Sequence, residues 1–88
     1  MAVTPKVEVY YKPMCGYSHR AMKLLEDKGV AFERLNAFAD PDLRQAMLQR
    51  SNGGRTYPQI FIGGEHIGGS DQLAQLERAG KLDAKLGL

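Results

Sequence analysis

The chain carries one cysteine, Cys15, inside the run Lys12-Pro13-Met14-Cys15-Gly16-Tyr17-Ser18. Alternating apolar residues, Val7, Val9 and Tyr11, end just before it at Lys12-Pro13, and apolar residues at helical spacing, Ala21, Met22, Leu24 and Leu25, follow it. The sulfur is therefore placed where a strand gives way to a helix. In the first turn of a helix, unpaired backbone N–H groups and the helix dipole favour an anion. That position, with the positive charge of Lys12 just upstream, lowers a cysteine pKa from about 8.5 into the range of roughly 3.5 to 7.5. Cys15 is accordingly read as a thiolate nucleophile. A lone cysteine is more often an inert, buried small hydrophobe, but the flanking Pro, Gly, Tyr and Ser argue against burial here.

With His19 and His66 as the only imidazoles, a single cysteine excludes an intramolecular disulfide framework and a multi-cysteine zinc site. A structural metal within one chain is not expected. What one cysteine can still do is attack as a nucleophile, form a mixed disulfide, or share a metal across a dimer. His19 is a tempting general base beside Cys15. A thiolate already stabilised by its helix needs none, and His19 is read as an exposed or capping residue, His66 as a hairpin residue.

Stepping outward along the chain, the helix that begins at or near Cys15 runs to Lys28, where Gly29 supplies the stop. Val30 to Leu35 alternates again as a second strand. Asp40-Pro41 then reads as a helix start, Asp capping and Pro in the first helical position, ahead of Leu43, Ala46 and Met47. Asn52-Gly53-Gly54 breaks that helix, and Pro58 to Ile62 is a short apolar run ended by Gly63-Gly64, a buried strand. Glu65-His66-Ile67 closes a hairpin. After Gly68-Gly69, Ser70 is expected to cap a third helix with Leu73, Ala74 and Leu76 on one stripe, ending at Gly80. The order β-α-β-α-β-β-α forces a mixed sheet, because crossover helices join parallel strands and the tight hairpin joins antiparallel ones. Leu24, Leu25, Leu43, Met47 and Leu73 are assigned to the core.

At 88 residues the chain holds one domain, 1–88, with a single compact core. Hydrophobic residues at 43% and charged residues at 25% match globular composition rather than disorder or coiled coil. A net charge of +2 is too balanced for a dedicated nucleic-acid binder, so any anion site must be local. No apolar run reaches the roughly 18 to 20 residues that span a bilayer, and the stretch from Met1 to Lys6 lacks a signal peptide's apolar segment. The expectation is a cytoplasmic protein with no membrane association.

Three ordered motifs carry a resemblance: Cys15-Gly16-Tyr17-Ser18, then Thr56-Tyr57-Pro58-Gln59-Ile60-Phe61-Ile62, then Gly68-Gly69-Ser70-Asp71. From about Val7 to Leu82 the chain resembles a glutaredoxin of the thioredoxin superfamily. The resemblance implies a thioredoxin-like α/β fold, a four-stranded mixed sheet flanked by three helices, and a glutathione-dependent disulfide oxidoreductase active in cell redox homeostasis and electron transport. It also implies a cis Pro58, with the backbone of Tyr57 pairing the cysteinyl part of glutathione. Glutathione has two carboxylates and one ammonium. By family position Lys12 and Arg44 would hold the glycine carboxylate. The N–H groups of Ser70 and Asp71 would take the γ-glutamyl carboxylate, with the Asp71 side chain accepting from the ammonium and Gly69 letting the backbone come close. Tyr17 and Thr56 would line the groove.

The two-cysteine members carry their second cysteine where this chain has Ser18, and the surrounding Tyr-x-His-Arg-Ala pattern resembles the small bacterial two-cysteine class. Whether Ser18 is natural or an engineered Cys-to-Ser exchange stays open. The intramolecular route is closed, which leaves a monothiol mechanism: Cys15 takes glutathione from a protein mixed disulfide, and a second glutathione reduces the adduct. The expected partners are glutathione and glutathionylated or disulfide-bonded proteins, with the chain mostly monomeric. The alternative is a dimer carrying a 2Fe-2S cluster on Cys15 and glutathione from each subunit. Against it, only two residues separate Lys12 from Cys15, and Tyr57 stands where that class usually has Trp.

Overall fold

The computed structural model describes residues 4–88. The N-terminal reading, as far as it rests on Met1, Ala2 and Val3, lies outside the described residues. Strand β1 (Val7–Tyr11) leads into helix α1 (Gly16–Asp27), strand β2 (Glu33–Asn36) and helix α2 (Pro41–Arg50). Strands β3 (Gln59–Ile62) and β4 (Glu65–Gly68) follow, then helices α3 (Ser70–Arg78) and α4 (Leu82–Leu86). The sheet order is β2-β1-β3-β4, with β1 parallel to β2 and antiparallel to β3, and β3 antiparallel to β4. This is the thioredoxin-like mixed sheet that the order of elements requires.

Strand alternation divides the core between the two faces of the sheet. Val7 and Val9 of β1 and Ile60 and Ile62 of β3 point to one side, where they bury Ala21 and Leu25 of α1 and Leu73 of α3. Tyr10 and Phe61 point to the other, against Ala37 and Met47. Leu24 packs beside the first cluster and Leu43 beside the second, both half-buried. The smaller cluster is closed at its edge by Arg50, which donates to Glu8 Oε1 and Oε2 and to Tyr10 Oη at 2.9 to 3.0 Å and lies 4.1 Å from the Phe61 ring centre.

Three local expectations are corrected. The second strand begins at Glu33 rather than Val30. Gly29, at φ 74°, ends α1 by donating to the Glu26 carbonyl, and Val30 donates to that of Leu25, so Val30 belongs to the helix's closing motif. There are four helices among the described residues rather than three. Gly80 (φ 70°) ends α3 and the short α4 buries Leu82 and Leu86, four residues apart on one face, into the larger cluster. Ser70 is not the cap of α3: Gly69 holds the cap position, its N–H donating to Gln72 Oε1 at 2.9 Å, and Ser70 is the first helical residue and buried.

Candidate active site

Between β1 and α1 the chain turns through Met14, held at φ 59°, and delivers Cys15 to the cap position of α1. The Cys15 carbonyl accepts from His19 N–H at 2.9 Å and starts the helix. Its side chain is partly exposed. The backbone N–H of Ser18 draws the Cys15 pKa below the ordinary thiol value; burial opposes this, while the Ser18 hydroxyl, the Tyr17 N–H and the charge of Lys12 add to it. Each of these groups donates to, or attracts, the charged form and so favours the thiolate.

Ser18 is wholly buried, and its Oγ accepts from the Lys12 N–H at 3.3 Å. That acceptor role leaves the hydroxyl proton free to point at Cys15. Ser18 thus ties the end of β1 to the helix and supports the Cys15 thiolate.

Cys15 opens onto a cavity of about 470 Å³. One wall is Thr56, Tyr57 and Pro58, and the Tyr57–Pro58 peptide is cis, as the resemblance implies. The other is Gly69, Ser70, Asp71 and Gln72 at the start of α3, and Lys12 and Tyr17 complete it beside the sulfur. Gly69 keeps the two walls close, since a Cβ there would lie 3.3 Å from the Pro58 carbonyl oxygen, tight enough that the neighbour would have to give by a few tenths of an ångström. The Thr56 wall is held by Gln59, whose buried side-chain amide donates to Thr56 O at 2.9 Å and Oγ1 at 3.1 Å. With its nitrogen donating, Gln59 Oε1 must accept, so the 2.7 Å contact to His66 assigns the donor to His66 Nε2. His66 is a hairpin residue, as expected, and also stacks on Phe61 at 4.9 Å between ring centres.

The predicted site residues Lys12, Cys15, Tyr17, Thr56, Tyr57, Pro58, Gly69, Ser70 and Asp71 therefore share one cavity. Arg44 does not line it. It lines a neighbouring cavity of about 390 Å³ with Phe38 and Arg55, and Phe38 stands between the two: Lys12 Nζ lies 4.9 Å from its ring centre, and Tyr57 meets it edge-on at 6.4 Å. Sequence reasoning missed Phe38 and Gln72. For Gln72 a signal existed, because Gln at the third helical position commonly reaches back to the N–H of the cap residue. For Phe38 there was none, since it lies in the turn between β2 and α2. His19 is exposed and lines a further cavity on the opposite side of Cys15, with Pro13, Met14 and Met22.

Comparison with known proteins decides the family. The family model described as glutaredoxin matches residues 7–67. The chain is 46% identical over 86 residues to a probable glutaredoxin of Synechocystis, covering 98% of each chain. It is 48% identical over 80 residues to glutaredoxin 3 of Escherichia coli, covering 91% of this chain and 95% of that one. The crystal structure of a buckwheat glutaredoxin–glutathione complex superposes with a TM-score of 0.83 at 37% identity, covering 93% of this chain and 76% of that one. The chain belongs to the glutaredoxin family. Membership brings thiol–disulfide oxidoreductase chemistry, and Cys15 is this chain's single cysteine.

Proposed function

We propose that this glutaredoxin reduces protein–glutathione mixed disulfides by a monothiol mechanism through Cys15, with glutathione as substrate and reductant. The observation that carries the reading is one cavity joining the thiol of Cys15 at the cap position of α1, the Thr56–Pro58 segment and the N-terminus of α3. A γ-glutamyl carboxylate fits the N–H groups of Ser70 and Asp71, and the neighbouring ammonium fits the Asp71 carboxylate. The Tyr57 backbone offers a short strand-like pairing to the cysteinyl residue, which would bring its sulfur to Cys15. Lys12 is the cation nearest for the glycine carboxylate, and Arg44 could reach that carboxylate only from beyond Phe38.

In the first step the Cys15 thiolate attacks the glutathione sulfur; the disulfide breaks, and the protein thiolate leaves with the electron pair and takes a proton from solvent. In the second, the thiolate of another glutathione attacks the glutathione sulfur of the Cys15 adduct, releasing oxidised glutathione and restoring the Cys15 thiolate. Over the two steps one glutathione thiol is consumed and one disulfide is exchanged for another: the substrate's glutathionyl group leaves in the oxidised glutathione, and the electron pair of the second glutathione's thiolate is what frees the protein thiol. Ser18 forms no disulfide, so the adduct waits for the second glutathione.

The test is intact mass after incubation with oxidised glutathione, together with turnover of a small glutathione mixed disulfide. One glutathione per chain, and turnover abolished by Cys15→Ser, are expected. Absence of the adduct, or a rate that survives Cys15→Ser, would overturn the reading. A brown dimer that bleaches when glutathione is withdrawn, in a protein without turnover, would replace it with cluster carriage.

A further inference from the structure

The charged groups of this chain are unevenly partnered. Among the described residues, Lys6, Lys23, Lys28, Arg34, Arg50 and Lys85 are in ion pairs, six of the 12 basic side chains. Those pairs occupy seven of the ten carboxylates, leaving Asp40, Asp42 and Asp71. Of the six bases without a carboxylate partner, Lys12 lines the Cys15 cavity, Arg44 and Arg55 line the one beside it, and Arg20 stands over Tyr17 at the first cavity's edge. Asp71 faces the first cavity, while Asp40 and Asp42 line neither, and Asp40 is occupied in capping α2.

The apolar surface is distributed in the same way. Besides Leu88, the large apolar side chains exposed among the described residues are Met14, Tyr17 and Phe38, at 106%, 58% and 56%. Met14 adjoins Cys15, Tyr17 lines its cavity, and Phe38 touches Lys12 and Tyr57. The cations and rings are interleaved: Lys12 stands over Phe38 and Arg20 over Tyr17, at 4.9 and 5.7 Å from the ring centres. Beyond Phe38, Arg44 and Arg55 border the second cavity, whose remaining lining includes Pro41, Met47 and Leu48. Apolar groups gathered at one place and interleaved with uncompensated positive charge mark an interaction surface.

We propose that this rim docks the polypeptide flanking the disulfide of a substrate protein, and that the flank it selects is acidic and apolar. Carboxylate side chains meet Arg44 and Arg55 at one end of the groove and Arg20 at the other, while apolar side chains cover Phe38 and Met14. The inference rests on the proposed function and adds the chemistry of the substrate around its cysteine. A peptide suits the rim better than a nucleic acid because a net charge of +2 is too balanced for a dedicated nucleic-acid binder.

The experiment uses two peptides of equal length and apolar content, each disulfide-linked to glutathione, one with Glu and one with Lys around the cysteine. The mixed disulfide of free cysteine and glutathione is the reference. The Glu peptide should be reduced with a kcat/KM about tenfold above the Lys peptide at low salt, and the ratio should shrink as salt screens the rim. In the double variant Arg20→Glu, Arg55→Glu the preference should vanish or invert, with the reference disulfide turned over as before. Equal rates for the two peptides, or a preference that survives both charge reversals, would overturn the proposal. Fluorescence anisotropy with the Cys15→Ser chain separates docking from chemistry. Selective binding of the Glu peptide there supports the rim even if turnover fails, whereas equal binding of both peptides, or equally good competition by a single-stranded oligonucleotide, counts against it.

Discussion

The N-termini of α1 and α2 solve the same electrostatic problem in opposite ways. At α2, the Asp40 carboxylate accepts from the N–H groups of Asp42 and Leu43 at 2.9 and 3.4 Å, and Pro41 removes one further donor. Every clue to that helix is spent on the helix itself. At α1 the corresponding position holds Cys15, whose side chain makes no capping hydrogen bond. The donors of Ser18 and Tyr17 instead lower its pKa. At α3 the cap position is Gly69, which has no side chain to offer. Among the three longer helices, α1 and α3, whose starts have no carboxylate cap, face the groove, and the capped α2 does not. A helix start that is completed locally is architecture, and one left open is available to a ligand or a reacting sulfur.

This contrast can be broken by giving α1 what α2 has. Cys15→Asp should cap the helix conventionally, abolishing turnover altogether while leaving the melting temperature unchanged or higher; residual turnover would deny the sulfur its central role. In the proposed binding of glutathione, Asp71→Asn removes the carboxylate that would accept from the ammonium but keeps the helix start. A charge-assisted hydrogen bond is worth roughly 1.5 to 3 kcal/mol, so KM for glutathione should rise on the order of tenfold or more with little change in thermal midpoint. An unchanged KM would detach α3 from ligand binding.

A smaller effect is expected for Ser18→Ala, which strips the thiolate of one donor and the Lys12 N–H of its acceptor. Stability should fall by about 1 kcal/mol, and the pH profile of Cys15 alkylation should move upward. In the unaltered chain the thiolate persists below the ordinary thiol range, so alkylation slows only as pH falls through the depressed pKa; a profile centred in the ordinary range would contradict the geometry. The smallest functional effect belongs to Asp40→Ala. It should cost about 1 kcal/mol of stability, as cap removal does, and leave the alkylation profile and turnover where they were.

The parts of the site legible in sequence were those written within one stretch of chain. Lys12-Pro13 ends a strand and Ala21, Met22, Leu24 and Leu25 mark a helix, so the placement of Cys15 followed from neighbours alone. Asp40-Pro41 worked in the same way. The groove itself was legible only through resemblance, because Thr56–Pro58 and Gly69–Asp71 meet Cys15 across the sheet, and no local pattern records such a meeting. Where local rules failed, tertiary packing or a competing local motif had won. Ser70 is a good capping residue by type, yet it is drawn inside the first turn while Gly69, close to the Pro58 carbonyl, takes the cap. The short α4 is too brief for a periodicity to emerge and exists because Leu82 and Leu86 find the larger cluster. Arg44 is separated from the groove by an aromatic ring whose position depends on the fold as a whole.

The division of the interior into two clusters has a consequence for how this site would fail. Cys15 and the start of α3 stand on helices anchored in the larger cluster, whereas Tyr57 leans on the smaller one and donates to the Ala37 carbonyl at 3.3 Å. Cys15 and Tyr57, the proposed nucleophile and the proposed backbone partner of the ligand, thus rest on separate foundations. Damage to the minor one, at Met47 for instance, would blunt recognition first and leave an acidic, reactive sulfur with nothing to hold its substrate in line.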